Sequence, residues 1–371
     1  MRFLFKTSYE QDIRIAKHSG YYWSYGALLL VVLAAPYLLD EYYIGQMTQL
    51  YILAIAGVGL MLLSGYTGLI SLGHAAFFGI GAYTEAVLTG NGIPLPFMDE
   101  PLVFSFFVSF PMSGVLAALA GVAIGIPALR LTGIYLAIAT FAFAIVVEEI
   151  LSRWESVTNG YTGLLVESIY FESLDFDLTE GVSFYFLCLG VLIAVILFAL
   201  NLLRSSTGRS MMAVRDSEIS AQSMGVNLAQ TKTLAFALSA GITGLAGALF
   251  AHKLGFLSPE SFTVLQSLEL LVLVVVGGLG SIHGAIFGAM FVLALPQALA
   301  IMKDYLPHYI GEQPGFEPLI FGLILIFFVM FEPLGIYGRW LKVKLYFQMF
   351  PLYKKATFKR QKSYMKSERL K

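Results

Sequence analysis

Long apolar runs separated by short polar pieces dominate the pattern of this chain. Apolar segments of roughly 17–25 residues are long enough to cross the hydrocarbon core of a bilayer as helices. On this basis we predict membrane spans at 24–39, 46–64, 72–90, 112–128, 131–151, 182–203, 233–252, 267–279, 284–298 and 318–338.

Two of the runs contain helix-breaking residues. The run 102–129 includes Pro111, so its membrane part is placed at 112–128, and GGLGSIHG (Gly277–Gly284) divides the run 268–298. Glycine and proline at such positions favour short or broken membrane helices. The predicted fold class is therefore an all-α integral membrane protein of about ten transmembrane helices, some of them short or broken.

The composition supports lipid as the solvent for much of the chain. Of the 371 residues, 58% are hydrophobic and 13% are charged, with a mean hydropathy of +0.77. An ordinary soluble domain has about 25% charged residues. The net charge of −1 gives no indication of a nucleic-acid partner, and the single cysteine, Cys188, excludes a disulfide within the chain.

The distribution of charge predicts the orientation in the membrane. With the N-terminus inside, 20 of the 23 Lys and Arg residues lie inside, whereas the outer segment 155–181 has six acidic residues and no Lys or Arg. Lys and Arg are enriched in cytoplasmic loops, so we expect both termini to be cytoplasmic. The predicted regions are an N-terminal segment at 1–23, a transmembrane domain at 24–338 with an outer loop at 152–181, and a basic tail at 339–371. This tail either touches anionic lipid as a solvated segment or binds a specific partner.

A polar segment at 204–232 lies between two predicted spans on the cytoplasmic side. It has 29 residues, whereas simple connections need about 4–6. Ser217 can cap a helix whose first residue, Glu218, suits the positive end of the helix dipole, and Gly225 can end that helix. We expect a short helix with Arg209, Arg215 and Asp216 around it. Such a helix either docks a soluble partner or only anchors the loop at the membrane surface.

Five blocks of sequence resemble the permeases of the branched-chain amino acid (LivM) family of ABC importers. The blocks are GYTGLISLGHAAFFGIGAYT (Gly65–Thr84), PALRLTGIYLAIATFAF (Pro127–Phe143), GRSMMAVRDSEISAQSMGVNLAQTKTLAFALSAGITGLAGALFA (Gly208–Ala251), VVVGGLGSIHGAIFGA (Val274–Ala289) and FGLILIFFVMFEPLGIYG (Phe321–Gly338). The third block is similar to the coupling loop of importer permeases, whose general pattern is Glu-Ala-Ala, three residues, then Gly. The matching positions here are Ile219, Ser220 and Ala221, then Gly225, with Glu218 one residue early.

The resemblance implies a permease subunit for branched-chain or related hydrophobic amino acids in a bacterial inner membrane. It implies a cytoplasmic coupling helix within 204–232 and a periplasmic loop at 152–181. It also implies a second homologous permease as the dimer partner, two cytoplasmic ATP-binding subunits and a periplasmic binding protein. The chain has no GxxxxGK[ST] phosphate loop. We therefore expect no catalytic activity and no cofactor in this chain, with ATP and Mg²⁺ bound by the partner subunits.

Two glycine-rich stretches are candidates for the translocation path. They are GLISLGHAAFFG (Gly68–Gly79) and GLGSIHGAIFG (Gly278–Gly288), and their similarity suggests an internal repeat. Broken helices can expose backbone groups to a carboxylate, but the same glycines can serve close helix packing. His74 and His283 likewise are either structural hydrogen-bond donors or ligands. The candidate residues are Ser71, Gly73, His74, Gly278, Ser281, His283 and Gly284.

Acidic residues inside membrane spans suggest function because burying their charge is costly. Glu148, Glu149 and Glu269 lie near predicted span ends, where an interfacial position explains them equally well. Glu85 lies near the middle of the span 72–90 and is the best single candidate.

Other function classes stay open at this point. A self-sufficient secondary transporter would use Glu85 for ion coupling and would leave the 204–232 loop unexplained. An intramembrane enzyme would need clustered acids or histidines, and no such cluster is evident in the predicted spans. Urea and short amides remain alternative substrates because sister permeases with similar blocks carry them.

Overall fold

A computed structural model of the chain describes residues 19–92, 103–129, 131, 133–171, 176–179, 181–303, 316–332 and 334–349. Within these ranges the chain is built almost entirely of helices. The first five are α1 (Ser19–Leu38), α2 (Glu41–Leu60), α3 (His74–Ala86), α4 (Phe106–Ala128) and α5 (Ile134–Arg153). π-Helical turns continue α2 over Met61–Tyr66 and α3 over Val87–Asn91.

The rest of the described chain contains three short helices and six longer ones. These are α6 (Glu155–Thr158), α7 (Gly181–Arg204), α8 (Ser206–Asp216), α9 (Glu218–Ser223), α10 (Leu228–Leu254), α11 (Val264–Gly277), α12 (Ile282–Lys303), α13 (Phe316–Phe331) and α14 (Gly335–Met349). Single 3₁₀ turns occupy Gly160–Thr162 and Pro259–Phe262.

The all-α membrane fold is confirmed, and nine of the ten predicted spans each fall on a single helical segment. Among the described residues, seven helices are long and apolar enough to cross a membrane, and Trp23–Leu38 is a shorter apolar helix. The count of ten spans stays a prediction.

The last predicted span, 318–338, differs from the structure. Helix α13 ends at Phe331, and α14 begins at Gly335, whose φ of +60° is incompatible with a continuous helix. Helix α14 runs through the first part of the segment predicted as a basic tail, while residues 350–371 of that tail lie outside the described residues.

Helices α2 and α10 form the centre of the bundle. In each, 78% of the most apolar window is buried, compared with 28–44% in the other five candidate spans. Helix α10 packs against α2, α3 and α4. Small residues allow this close approach: a Cβ atom on Gly247 would overlap the carbonyl oxygen of Phe78, and one on Gly81 would overlap that of Gly244.

Four two-residue strands lie at the end of the bundle remote from α8 and α9. They are β1 (Leu164–Leu165), β2 (Tyr170–Phe171), β3 (Phe176–Asp177) and β4 (Phe256–Leu257). Strands β1 and β4 pair antiparallel, and so do β2 and β3. The described part of the outer segment 152–181 is thereby tied to the chain that follows α10.

Candidate functional site

The 204–232 segment folds into two short helices rather than one. The hydroxyl oxygen of Ser205 caps α8 by accepting from Gly208 N at 3.3 Å, and that of Ser217 caps α9 by accepting from Ser220 N at 3.3 Å. Gly225, with a φ of +86°, reverses the chain after α9. The cap and the stop of the second helix match the sequence prediction, and the separate helix α8 is an addition to it.

Helix α8 is anchored in the bundle by a buried side chain. Met211 is fully buried in a hydrophobic cluster with Leu63, Leu69, Leu136 and Phe236. These partners come from the end of α2, the chain that follows it, α5 and α10. Burial of a Met side chain contributes about 1.5–3 kcal/mol, so α8 is fixed to elements that cross the bundle.

Arg215, in the last turn of α8, reaches the places where two membrane helices break. Its Nη1 donates to the carbonyl oxygen of Gly65 at 3.2 Å. The same Nη1 lies 3.4 Å from where a Cβ on Gly280 would be, and its Cγ lies 3.0 Å from the corresponding position on Gly68. The two glycine-rich stretches therefore meet each other and the loop at one place.

Among the other predicted loop residues, Asp216 contacts Arg215, while Arg209 and Ala221 make contacts elsewhere in the loop. Asp216 accepts from Arg215 Nε at 3.1 Å and from Nη2 at 3.0 Å. Arg209 donates through Nη1 to the carbonyl oxygen of Arg204 at 2.8 Å. Ala221 lies on the buried side of α9, and the opposite side of this helix faces solvent.

A buried ion pair joins α9 to the start of α10. Lys232 Nζ lies 2.8 Å from Glu218 Oε2, with side-chain exposures of 2% and 36% respectively. Both residues line an open cleft of about 490 Å³ together with Gln222 and Asn227. A burial this deep is tolerable for Lys232 only because Glu218 compensates its charge.

Two large apolar side chains are exposed near the two ends of α9. Ile219 is 83% exposed and Met224 is 85% exposed. Two large apolar side chains beside a polar cleft form a surface suited to a soluble protein partner.

The first glycine break holds the start of α3 inside the protein. Side chains from neighbouring helices satisfy its amide groups: Thr140 Oγ1 accepts from Leu72 N, and Ser267 Oγ accepts from Ala75 N, both at 3.0 Å. A Cβ on Gly73 would overlap the carbonyl oxygen of Thr140. The helix start is therefore packed against protein, as the close-packing interpretation predicts.

His74 is fully buried and has partners at both ring nitrogens. Nδ1 lies 2.9 Å from Ser71 Oγ, and Nε2 lies 2.7 Å from Ser239 Oγ. Because the Ser239 hydroxyl donates to the carbonyl oxygen of Gly59 at 2.6 Å, Nε2 of His74 is assigned as the donor to Ser239. This geometry favours the structural interpretation of His74.

The second glycine break joins α11 to α12. Gly278 and Gly280 have φ values of +120° and +81°. Ser281 Oγ accepts from Gly284 N at 3.4 Å, and a Cβ on Gly284 would overlap the carbonyl oxygen of Gly278. These glycines thus permit both the turn and the close contact of the two helices.

His283 lies on the surface, away from His74. Its Nε2 is hydrogen-bonded to the hydroxyl of Tyr25 at 2.8 Å, and its ring stacks on Tyr337 at 5.8 Å between centroids. It joins α1, α12 and α14, and these contacts fit the structural interpretation of His283.

Glu85 lies in a buried polar cluster towards the end of α3 remote from the loop. Its Oε1 accepts from the Ser109 hydroxyl at 2.7 Å and lies 3.3 Å from His252 Nε2. Its Oε2 is buried without a hydrogen-bond partner among the described residues. Ser109 and His252 were missed by sequence reasoning because His252 falls on a predicted span end and a serine alone carries little signal.

The other acidic candidates lie nearer to solvent. Glu149 is exposed and pairs with Arg153 one helical turn later. Glu148 and Glu269 are half-buried. Their positions fit the interfacial interpretation.

Comparison with known proteins places the chain in a transport family. Residues 42–329 match the family described as "Branched-chain amino acid transport system / permease component". No solved structure matches the chain.

Two kinds of relative illustrate the similarity. The chain is 31% identical to the "High-affinity branched-chain amino acid transport system permease protein LivM" of Escherichia coli (strain K12), over 84% of this chain and 73% of that protein. The identity and coverage are the same for the protein of that name from Salmonella typhimurium. The "Autoinducer 2 import system permease protein LsrC" of Enterobacter sp. (strain 638) is 26% identical over 75% of this chain and 74% of that protein.

These matches identify a transporter permease rather than a family of catalysts, and they agree with the multi-pass helical structure. The resemblance seen in the sequence is confirmed. This chain belongs to the family of permease components of branched-chain amino acid transport systems.

Proposed function

We propose that this chain is a membrane-spanning subunit of an ATP-driven importer in the bacterial inner membrane. It translocates branched-chain or related hydrophobic amino acids. Separate subunits that dock on the 204–232 loop supply ATP hydrolysis. Both termini are cytoplasmic in this proposal.

The observation that carries the proposal is the contact of Arg215 with both glycine breaks. One side chain of the loop touches Gly65, Gly68 and Gly280. A displacement of α8 by a docked partner would therefore act directly on the ends of α2 and α11. This is the connection that a transporter powered from outside its membrane domain requires.

The exposed surface of α9 is the proposed contact for the ATP-binding subunits. Ile219 and Met224 supply apolar anchors, and the cleft beside Glu218 accepts a partner side chain. We further propose a second, related permease as dimer partner and a periplasmic binding protein that delivers substrate. Both proposals rest on the family.

Reconstitution tests this function directly. Liposomes that contain the chain with its copurified permease and ATP-binding subunits should accumulate labelled leucine only when ATP and loaded binding protein are supplied. Liposomes with this chain alone should not accumulate it. Uptake without ATP by the chain alone would contradict the proposal.

Ion-coupled transport is the second candidate, and one observation favours it. Glu85 is a fully buried carboxylate beside His252, an arrangement that proton relays in membranes use. This candidate predicts that a proton gradient drives uptake by the chain alone. The same liposomes, with an imposed gradient and no ATP, distinguish the two.

A further inference from the structure

A polar cleft lies at the end of α2 and α10 remote from the 204–232 loop. It has a volume of about 550 Å³ and is lined by Glu41, Tyr42, Gly45, Gln46, Gln49 and Lys253. Ligand sites typically have about 300–1,000 Å³. The continuous helix Glu41–Tyr66 has 26 residues. The cleft is lined from Glu41 to Gln49 of this helix, so it lies roughly 24–36 Å from the contact of Arg215 with Gly65.

The exposed side of α2 is polar at this end of the helix. Positions 42, 46 and 49 recur at helical spacing and remain at least partly exposed, while Ile44, Thr48, Tyr51 and Ile52 on the other side are buried. Polar side chains within a membrane span face protein or a water-filled cavity rather than lipid chains. The exposed side of α2 therefore faces an aqueous path or a partner subunit.

Lys253 brings a cation to the same place from the last turn of α10. Its Nζ lies 3.2 Å from the position that a Cβ on Gly45 would take, so the ammonium group rests against the backbone of α2. Within the described part of the chain, no ion pair occupies Lys253 or Glu41. Both charges are available to a ligand.

We propose that this cleft is a subsite for the charged backbone of a zwitterionic α-amino acid. Lys253 receives the α-carboxylate, Glu41 receives the α-ammonium group, and the amides of Gln46 and Gln49 can bond to either. A neutral amide such as urea would leave both charges uncompensated. The inference deepens the proposed function, on which it rests, by selecting amino acids over amides at the end where an importer takes in its substrate.

Thiol protection in the assembled transporter tests the subsite without requiring transport. The native Cys188 is fully buried, so Gln49→Cys provides one reactive thiol in this chain. Leucine at ten times its dissociation constant should slow maleimide labelling of this thiol about tenfold, and urea should not. Leu254→Cys is the matched control, because Leu254 is exposed beside Lys253 and does not line the cleft.

Changes at Lys253 separate charge recognition from simple occlusion. In the Gln49→Cys background, Lys253→Gln should abolish protection and Lys253→Arg should retain it. If Gln49→Cys does not assemble, Gln46→Cys takes its place. Three results would contradict the subsite. They are unchanged protection by leucine in the Lys253→Gln variant, equal protection by urea, and a thiol so occluded by lipid that leucine does not change its labelling rate.

The outcomes distinguish this inference from the function it rests on. If leucine uptake depends on ATP but leucine does not protect the thiol, the subsite is contradicted and the importer is supported. If leucine protects the thiol but uptake does not depend on ATP, the subsite is supported and the importer is contradicted.

Discussion

Lys232 is a charge held inside the protein by one partner. Its ammonium group is almost fully buried and its counter-charge, Glu218, comes from α9 across the loop. Removing one member of such a pair costs more than the pair itself contributes, because the remaining charge is left without compensation.

We therefore expect Glu218→Gln to destabilise the loop by about 1–3 kcal/mol, below the ~3–5 kcal/mol of fully buried pairs because Glu218 is partly exposed. Thermal unfolding of the purified protein in detergent measures the change. The double variant with Lys232→Met should recover most of the loss. A double variant as unstable as the sum of the two single variants would contradict the pairing.

Glu85 presents a different case, since its carboxylate has a bonded and an unbonded oxygen. A glutamine at this position keeps the volume and one acceptor for Ser109. We expect Glu85→Gln to insert normally and to lower leucine uptake on the order of tenfold, the equivalent of one charge-assisted hydrogen bond. Membrane yield and uptake rate are the two measurements, and unchanged uptake by a normally inserted variant would contradict a functional role.

The sequence identifies Glu85 because an acid in an apolar run stands out. It does not identify His252 or Ser109 as its partners, since they come from α10 and α4 and meet Glu85 only through tertiary packing. The same limit applies to Ser239, whose hydroxyl explains His74.

At the scale of elements, α8 is the link between the loop and the membrane helices. The cap at Ser217 and the stop at Gly225 are local signals, so α9 could be predicted. The packing of Met211 and the contact of Arg215 with Gly65 depend on elements up to about 150 residues away. These contacts could therefore not be predicted from local sequence.

Arg215→Ala should uncouple ATP hydrolysis from leucine uptake in the assembled transporter. The contact with Gly65 and Gly280 is lost, while the exposed surface of α9 is unchanged. We expect ATP hydrolysis to be retained and leucine uptake per ATP to fall. Parallel assays of phosphate release and uptake measure this ratio, and a proportional loss of both would assign Arg215 to docking instead.

Gly280→Ala tests the same link from the membrane side. Its φ of +81° disfavours a side chain, and the added Cβ would approach Arg215 Nη1. We expect the same uncoupling as with Arg215→Ala. Gly26→Ala is the control, because nothing lies within 4 Å of its Cβ position, and equal effects of the two changes would contradict the interpretation.

At the scale of the whole molecule, hydrophobic pattern alone locates the helices. Nine of the ten predicted spans each fall on a single helical segment, because lipid requires long apolar helices with satisfied backbones. The pattern cannot place α2 and α10 at the centre, which depends on small residues such as Gly244 and Gly247. It also cannot bring together two glycine breaks about 210 residues apart.

The central claim is that ATP-binding subunits dock on α9. Affinity purification of the tagged chain from its native membrane tests it most directly, with Ile219→Glu as the variant and Leu165→Glu as the control. Leu165 is a similarly exposed residue at the opposite end of the bundle. We predict that the wild type and Leu165→Glu bring down ATP-binding subunits and a second permease, whereas Ile219→Glu keeps the permease and loses the ATP-binding subunits. Retention of those subunits by Ile219→Glu, or a wild-type chain that purifies alone, would contradict the account.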